Sequence, residues 1–143
     1  MNLLDVNVWL AGIWDGHADH EAVLSWRDRA EGLLVLCRVT QMALLRHLSN
    51  PAVLGPDALT RRDAWHLVDR QMRDPAVTWR AEPDGLSVAW RALSAQEDRN
   101  HKLWTDDYLA GFAQAGHLTL VTLERRFVRR YPSVEVEVVT ARP

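Results

Sequence analysis

The sequence predicts an α/β fold: a mostly parallel central sheet with helices on both faces, in three layers. Three observations carry this expectation. A short continuous apolar run, Leu33–Leu36, reads as a strand buried on both faces. Other segments have apolar residues at helical spacing. The two kinds of segment alternate along the chain, the pattern of parallel strands joined by crossover helices.

Asn2 to Val6 reads as a buried strand, and Trp9, Leu10, Ile13 and Trp14 then follow at helical spacing. His17 to Arg29 reads as a helix with Ala22, Val23 and Trp26 inward. After the strand Leu33–Leu36, Thr40 opens a helix through Leu44, Leu45 and Leu48 that stops near Asn50-Pro51. Thr60-Arg61-Arg62-Asp63 resembles a capping box, with Asp in place of Glu or Gln at its last position. The helix behind it carries Trp65, Val68 and Met72. Val77 to Ala81 reads as a strand and Leu86 to Glu97 as a helix. Thr105 is placed to cap the next helix, whose inner face is Leu109, Phe112 and Ala113, and Gly116 fits its C′ position. His117 to Thr122 is a strand, Glu124 to Arg130 a short helix, and Val134 to Val139 an alternating edge strand with Glu135 and Glu137 outward. Most of the seven Trp fall at inward-facing positions.

With 143 residues, 48% of them hydrophobic, the chain can build one domain over 1–143 without a disulfide or metal staple. Cys37 is the only cysteine, which excludes an internal disulfide and a multi-thiolate zinc site and suits a reducing, cytoplasmic setting. No apolar run is long enough to span a bilayer, and no basic n-region precedes the first one, so neither membrane association nor a secretory signal is expected. A net charge of −2 argues against a protein that coats nucleic acid, but leaves a local basic patch open.

Open parallel sheets bind ligands beyond the carboxyl ends of their strands, so polar residues at strand ends are the candidates. Asp5 ends the first apolar run, Glu124 follows the run ending at Thr122, and Asp106 and Asp107 begin a helix. Acids in a first helical turn also offset the macrodipole. Asp5 has no such explanation, since a carboxylate ending a buried strand needs a partner or a metal to stay charged. Hard divalent cations take oxygen ligands and retain waters, so two or three carboxylates suffice for Mg²⁺. Such an ion suits phosphodiester cleavage.

The order of four segments resembles the PIN-domain ribonucleases, in particular VapC-type toxins of toxin–antitoxin pairs. They are Leu3-Leu4-Asp5-Val6-Asn7-Val8-Trp9-Leu10; Cys37 to Arg46 with Leu48-Ser49-Asn50-Pro51; Trp104-Thr105-Asp106-Asp107-Tyr108-Leu109-Ala110; and Leu120-Val121-Thr122-Leu123-Glu124-Arg125-Arg126-Phe127. The resemblance spans essentially the whole chain. It implies that Asp5, Asp106 and Glu124 are catalytic, that Asp5 and Asp106 are the principal Mg²⁺ ligands (with Mn²⁺ as a substitute), and that Asn7 and Thr122 support the acidic cluster. Thr40, Gln41 and Asp107 are further supporting candidates. Two departures stand out. Glu124 occupies a position where the family usually has Asp, and the second motif has Gln41 and Ala43 at the two places where many relatives carry Glu. Gln41 offers a neutral carbonyl oxygen but cannot act as a base.

The resemblance implies an Mg²⁺-dependent endoribonuclease acting as a toxin, with an antitoxin protein and RNA as partners and a homodimer as the assembly. The alternative is a non-catalytic PIN-like module that sequesters antitoxin or RNA. A phosphatase or phospho-receiver fits poorly, because Asn7 stands where a second acid would be needed and the only Lys is Lys102. Arg125, Arg126, Arg129 and Arg130 form a basic cluster beside the fourth motif that could guide an RNA backbone. Trp104, next to Asp106, is an aromatic that could stack on an unpaired base. Arg46 is a candidate for an acid partner or an antitoxin contact, and His17 and His20 lack a third ligand at zinc spacing.

Overall fold

The structure, a computed structural model, describes residues 1–141; Arg142 and Pro143, which the single-domain expectation includes, lie outside them. Its centre is an all-parallel sheet of β1 (Asn2–Leu4), β2 (Leu34–Leu36), β3 (Val77–Trp79), β4 (Thr119–Thr122) and β5 (Val136–Val138), in the order β3-β2-β1-β4-β5. The chain builds outward from β1 to β3 on one side, then returns to place β4 against the other side of β1. The gap between the carboxyl ends of β1 and β4 is therefore the topological switch point, where open sheets hold ligands.

Alternation of side chains across each strand makes two cores. Leu4, Leu34, Leu36 and Val121 face one side, covered by α1 (Val6–Ile13), α2 (His20–Arg29), α3 (Arg38–Leu48), α4 (Pro51–Leu54) and α5 (Arg61–Arg73). Leu3, Val35 and Leu120 face the other, covered by α6 (Leu86–Ser94), α7 (Trp104–Gly116) and α8 (Arg126–Arg130). The three layers expected from the apolar runs are present. Among the described residues no helix is long and apolar enough to cross a membrane.

Several element ends differ from the sequence expectation. The first strand stops at Leu4, because the Asp5 side chain caps a helix that starts at Val6. The second helix begins at His20 rather than His17. Thr40 lies inside α3, whose N-cap is Cys37. Asn50-Pro51 does more than end a helix: Asn50 Oδ1 accepts from Ala52 N–H at 2.9 Å and Pro51 opens α4, where its missing N–H costs nothing. Thr60 caps α5 as expected, accepting from Asp63 N–H at 3.1 Å. Thr105 is not a cap, because α7 already begins at Trp104. Gly116 is the last residue of α7, and His117 takes the left-handed position at φ 54°. Only Trp9 and Trp26 of the seven Trp are buried, while Trp65 and Trp104 are exposed.

Helices α6 and α7 approach most closely at Gly111, where an added Cβ would lie 2.9 Å from the Trp90 backbone N and 3.0 Å from its Cα. That neighbour is main chain and cannot rotate away. Gly111→Ala gains about 1 kcal/mol of helix propensity but overpacks at a cost of about 1–3 kcal/mol. A net loss of up to about 2 kcal/mol in urea unfolding is expected, and a stabilised variant would show that the helices can part.

Candidate active site

Asp5 stands where β1 turns into α1. Its backbone is extended (φ −63°, ψ 155°), and its Oδ1 accepts from Val6 N–H at 2.7 Å, an N-cap contact. Its own N–H donates to the Val121 carbonyl at 2.8 Å, carrying the β1–β4 ladder one residue further. That seats Asp5 beside the buried Thr122, whose Oγ1 donates to Asp5 Oδ2 at 2.9 Å. The same oxygen accepts from Glu124 N–H at 3.1 Å and from Asn7 Nδ2 at 3.5 Å. Both acceptor positions of the hydroxyl are thus used, and its single proton is committed to Asp5. Asn7 Oδ1 accepts from Leu123 N–H at 3.3 Å, which orients its amide.

The second carboxylate arrives on α7. Asp106 lies in the first turn of that helix, and its Oδ2 accepts from Arg130 Nη1 at 3.4 Å. Burial pushes its carboxyl up to about 6; the nearby charges of Asp5, Asp107 and Glu124 add to the rise and Arg130 opposes it. Burial also raises Asp5 above the usual carboxylate range, against the hydrogen bonds from Thr122 and Val6, and Glu124 contributes further. Two carboxyl groups from opposite ends of the chain therefore share one poorly solvated rim.

Glu124 belongs to the same electrostatic cluster but is held by Arg126. Its Oε1 accepts from Arg126 Nε at 2.8 Å and its Oε2 from Nη2 at 3.3 Å, which keeps its carboxyl below the usual range. Asp107, one residue past Asp106, is buried and accepts from the Tyr131 hydroxyl. Thr40 is buried against Cys37, with Sγ and Oγ1 3.4 Å apart, and Gln41 Oε1 accepts from Arg38 at 2.6 Å. No hydrogen bond among the described residues joins Thr40 or Gln41 to the acids.

Of the residues singled out from the sequence, Asp5, Asn7, Thr122, Asp106 and Glu124 come together at the switch point, through direct hydrogen bonds or charge coupling. Thr40 and Gln41 have other partners. Arg125 and Arg129 are exposed, whereas Arg126 and Arg130 are engaged by Glu124 and Asp106. Arg46 is exposed, beside Trp65 and away from the acids. His17 Nδ1 accepts from Asp19 N–H and His20 Nδ1 contacts the Ala11 carbonyl, both local structural roles. Sequence reasoning missed the pairing of Arg130 with Asp106 and of Tyr131 with Asp107. The close spacing of Glu124 and Arg126 was a usable signal; the other two pairs depend on how α8 docks beside α7.

Asp5 and Asp106 fit a hard divalent cation. Their donors are oxygens, each carboxylate retains lone pairs beyond those engaged, and their raised carboxyls mark negative charge that a cation would relieve. Among the described residues no three His, Cys, Asp or Glu are placed together to hold a metal ion. Mg²⁺ does not require three, since it binds through one or two carboxylates and keeps several waters.

Comparison with known proteins places this geometry in context. The sequence profile described as "PIN domain" matches residues 3–131. Ribonuclease VapC41 of Mycobacterium tuberculosis is 39% identical over 97% of this chain and 99% of its own length. Ribonuclease VapC29 of the same organism is 30% identical over 96% of each chain. In the crystal structure of VapBC2 from Rickettsia felis bound to a promoter DNA fragment, one chain superposes with a TM-score of 0.66 at 13% identity, covering 96% of this chain and 97% of that one. At that identity the likeness is one of fold.

The strain on Asp106 has a measurable consequence. The folded chain keeps this proton up to about pH 6, whereas the unfolded chain releases it near 3.8. The folded state binds more protons across that window, so its stability falls as pH rises through it and stays lowered above. Asp106→Asn removes the charge and gives up only a partly exposed ion pair, which contributes little. In metal-free buffer the variant should show a flatter Tm–pH profile from about pH 4 to 6 and a higher Tm near neutral pH. Parallel profiles for parent and variant would show that Asp106 is not strained.

Proposed function

The chain belongs to the PIN-domain family, in its VapC branch, and from that premise we propose that it is the toxin of a toxin–antitoxin pair: an endoribonuclease that hydrolyses RNA phosphodiesters with Mg²⁺, or Mn²⁺ in its place. The observation that carries this reading is the meeting of Asp5 and Asp106 at the β1–β4 switch point, with both carboxyls raised.

In this reading Asp5 and Asp106 hold the ion. When bound, the ion supplies charge neutralisation at the scissile phosphate and makes a water acidic enough to attack at neutral pH. Thr122 and Asn7 keep the Asp5 carboxylate aimed at the rim. Glu124, once its carboxylate exchanges Arg126 for water, orients the attacking water and takes its proton. Arg125 and Arg129, exposed on the same side of the fourth motif, contact the RNA backbone. An antitoxin protein covers the acidic rim, a homodimer is the proposed assembly, and the cytoplasm is the proposed setting, supported by the buried, unbridged Cys37.

The bidentate hold of Arg126 on Glu124 favours the second reading, a non-catalytic module that sequesters antitoxin or RNA. One set of measurements separates the two. For a nuclease, Mn²⁺ raises the Tm and the purified chain cleaves RNA. EDTA or Asp5→Asn, which keeps an N-cap side chain, abolishes both effects. Thr122→Val, which removes an outer-shell hydrogen bond, lowers cleavage by about 10–100-fold. Expression of the parent, but not of Asp5→Asn, arrests growth. RNA cleavage that persists in Asp5→Ala would falsify the metal assignment, and absence of both the Mn²⁺ shift and cleavage would establish the non-catalytic module.

A further inference from the structure

We propose that Trp104 is a base-stacking platform, and that the paired grooves it separates seat unpaired nucleotides of the RNA. This rests on the RNA-cleaving reading above.

Trp104 opens α7, two residues before Asp106, and is 56% exposed. So large an apolar side chain beside a charged rim calls for a partner. Its mounting is rigid. Trp90 meets it edge-on, with centroids 6.4 Å apart and planes at 81°, and the Trp90 indole N–H donates to the Trp104 carbonyl at 3.2 Å. Trp90 is itself braced by Tyr108 at 5.5 Å and 85°. A fixed aromatic face loses little entropy when a base stacks on it.

Two cavities adjoin Trp104. One, of about 540 Å³, runs from the irregular segment 95–103, with Arg99 and Asn100, to Asp107 and Arg130. Its lining includes Arg130, whose guanidinium pairs with Asp106, together with the carboxylates of Asp98 and Asp107. The other, of about 490 Å³, lies on Trp90 and Arg91. Trp104, Ser94 and Ala95 border both. Among the described residues neither Arg91 nor Arg99 pairs with a carboxylate, so each cavity offers a cation to phosphate, although Asp98 and Asp107 also line the first; Asn100 and Gln96 offer hydrogen bonds to a base edge. An aromatic face and uncommitted arginines match a single strand, whose bases are unstacked and available. A duplex hides those faces.

The test uses the full chain in EDTA, where nothing is cut, and a short unstructured oligoribonucleotide as the probe. Stacking of one base predicts about a 5- to 150-fold weaker Kd for Trp104→Leu, with Trp104→Phe retaining most of the affinity. Replacing one nucleotide at a time by an abasic residue should reproduce that loss at one position in the parent, and cause no further loss there in Trp104→Leu. The duplex form should bind parent and variant alike. An unchanged Kd for Trp104→Leu, or an abasic loss that simply adds to the substitution, overturns the proposal. So does a Trp104→Leu chain that loses only its antitoxin, which would make the grooves a protein-docking surface. The abasic scan of the parent requires no variant and still decides if Trp104→Leu fails to fold. Cleavage that depends on Asp5 without any dependence on Trp104 would sink the platform and leave the nuclease standing. Trp104-dependent binding without cleavage would do the reverse.

Discussion

Asp5 and Asp106 carry like charge, and the fold holds both on a rim where water is scarce. Burial disfavours each carboxylate, and Asp5 adds to the cost of ionising Asp106. A protein selected for stability alone would separate them or replace one. This one builds a scaffold around the conflict. The parallel register pairs Leu4 with Val121, which sets Asp5 against Thr122, and the start of α1 supplies an N–H to one carboxylate oxygen while Thr122 supplies a hydroxyl proton to the other. The arrangement has the character of a functional site that trades stability for chemistry.

Internal cations already offset part of the acidic charge. Arg130 reaches Asp106 at 3.4 Å, and Arg126 grips Glu124. Both come from α8, which follows the fourth-motif acid immediately. The same short helix thus supplies the counter-charges that calm the rim and, through the exposed Arg125 and Arg129 at its two ends, cations that face outward. Tyr131, just past α8, holds the buried Asp107, so the two adjacent acids of α7 are drawn apart: Asp107 into the core and Asp106 toward the rim.

The α6–α7 pair links this chemistry to the neighbouring grooves. Its tight approach at Gly111 fixes Trp90 relative to α7, and Trp90 in turn braces Trp104 at the start of the helix that delivers Asp106. Asp106 and Trp104, on one helical turn, keep a constant separation whatever else moves. The segment 95–103 between the two helices lines the larger cavity without regular structure, which suits a surface that meets a ligand.

The alternation of apolar runs with helical periodicity determined the three layers, because strands buried on both faces and helices buried on one leave different hydrophobic spacings. Asp5 was legible as a candidate for the same reason: a carboxylate ending a buried strand stands out against its neighbours. The ends of elements were less legible, since they hang on single side-chain contacts. Asp5 stops the first strand by capping a helix, and His117 rather than Gly116 takes the left-handed position. Only tertiary structure decided which polar residues meet. Thr40 and Gln41 share a motif with the site by spacing, yet their hydrogen bonds go to Cys37 and Arg38. Trp65 looks like a core residue by periodicity, yet it is exposed, because burial depends on which face a neighbouring helix covers. Periodicity is a property of one segment; the meeting of Asp5 with Asp106, and of Asp106 with Arg130, belongs to the order in which strands enter the sheet and to the docking of α7 and α8 upon it.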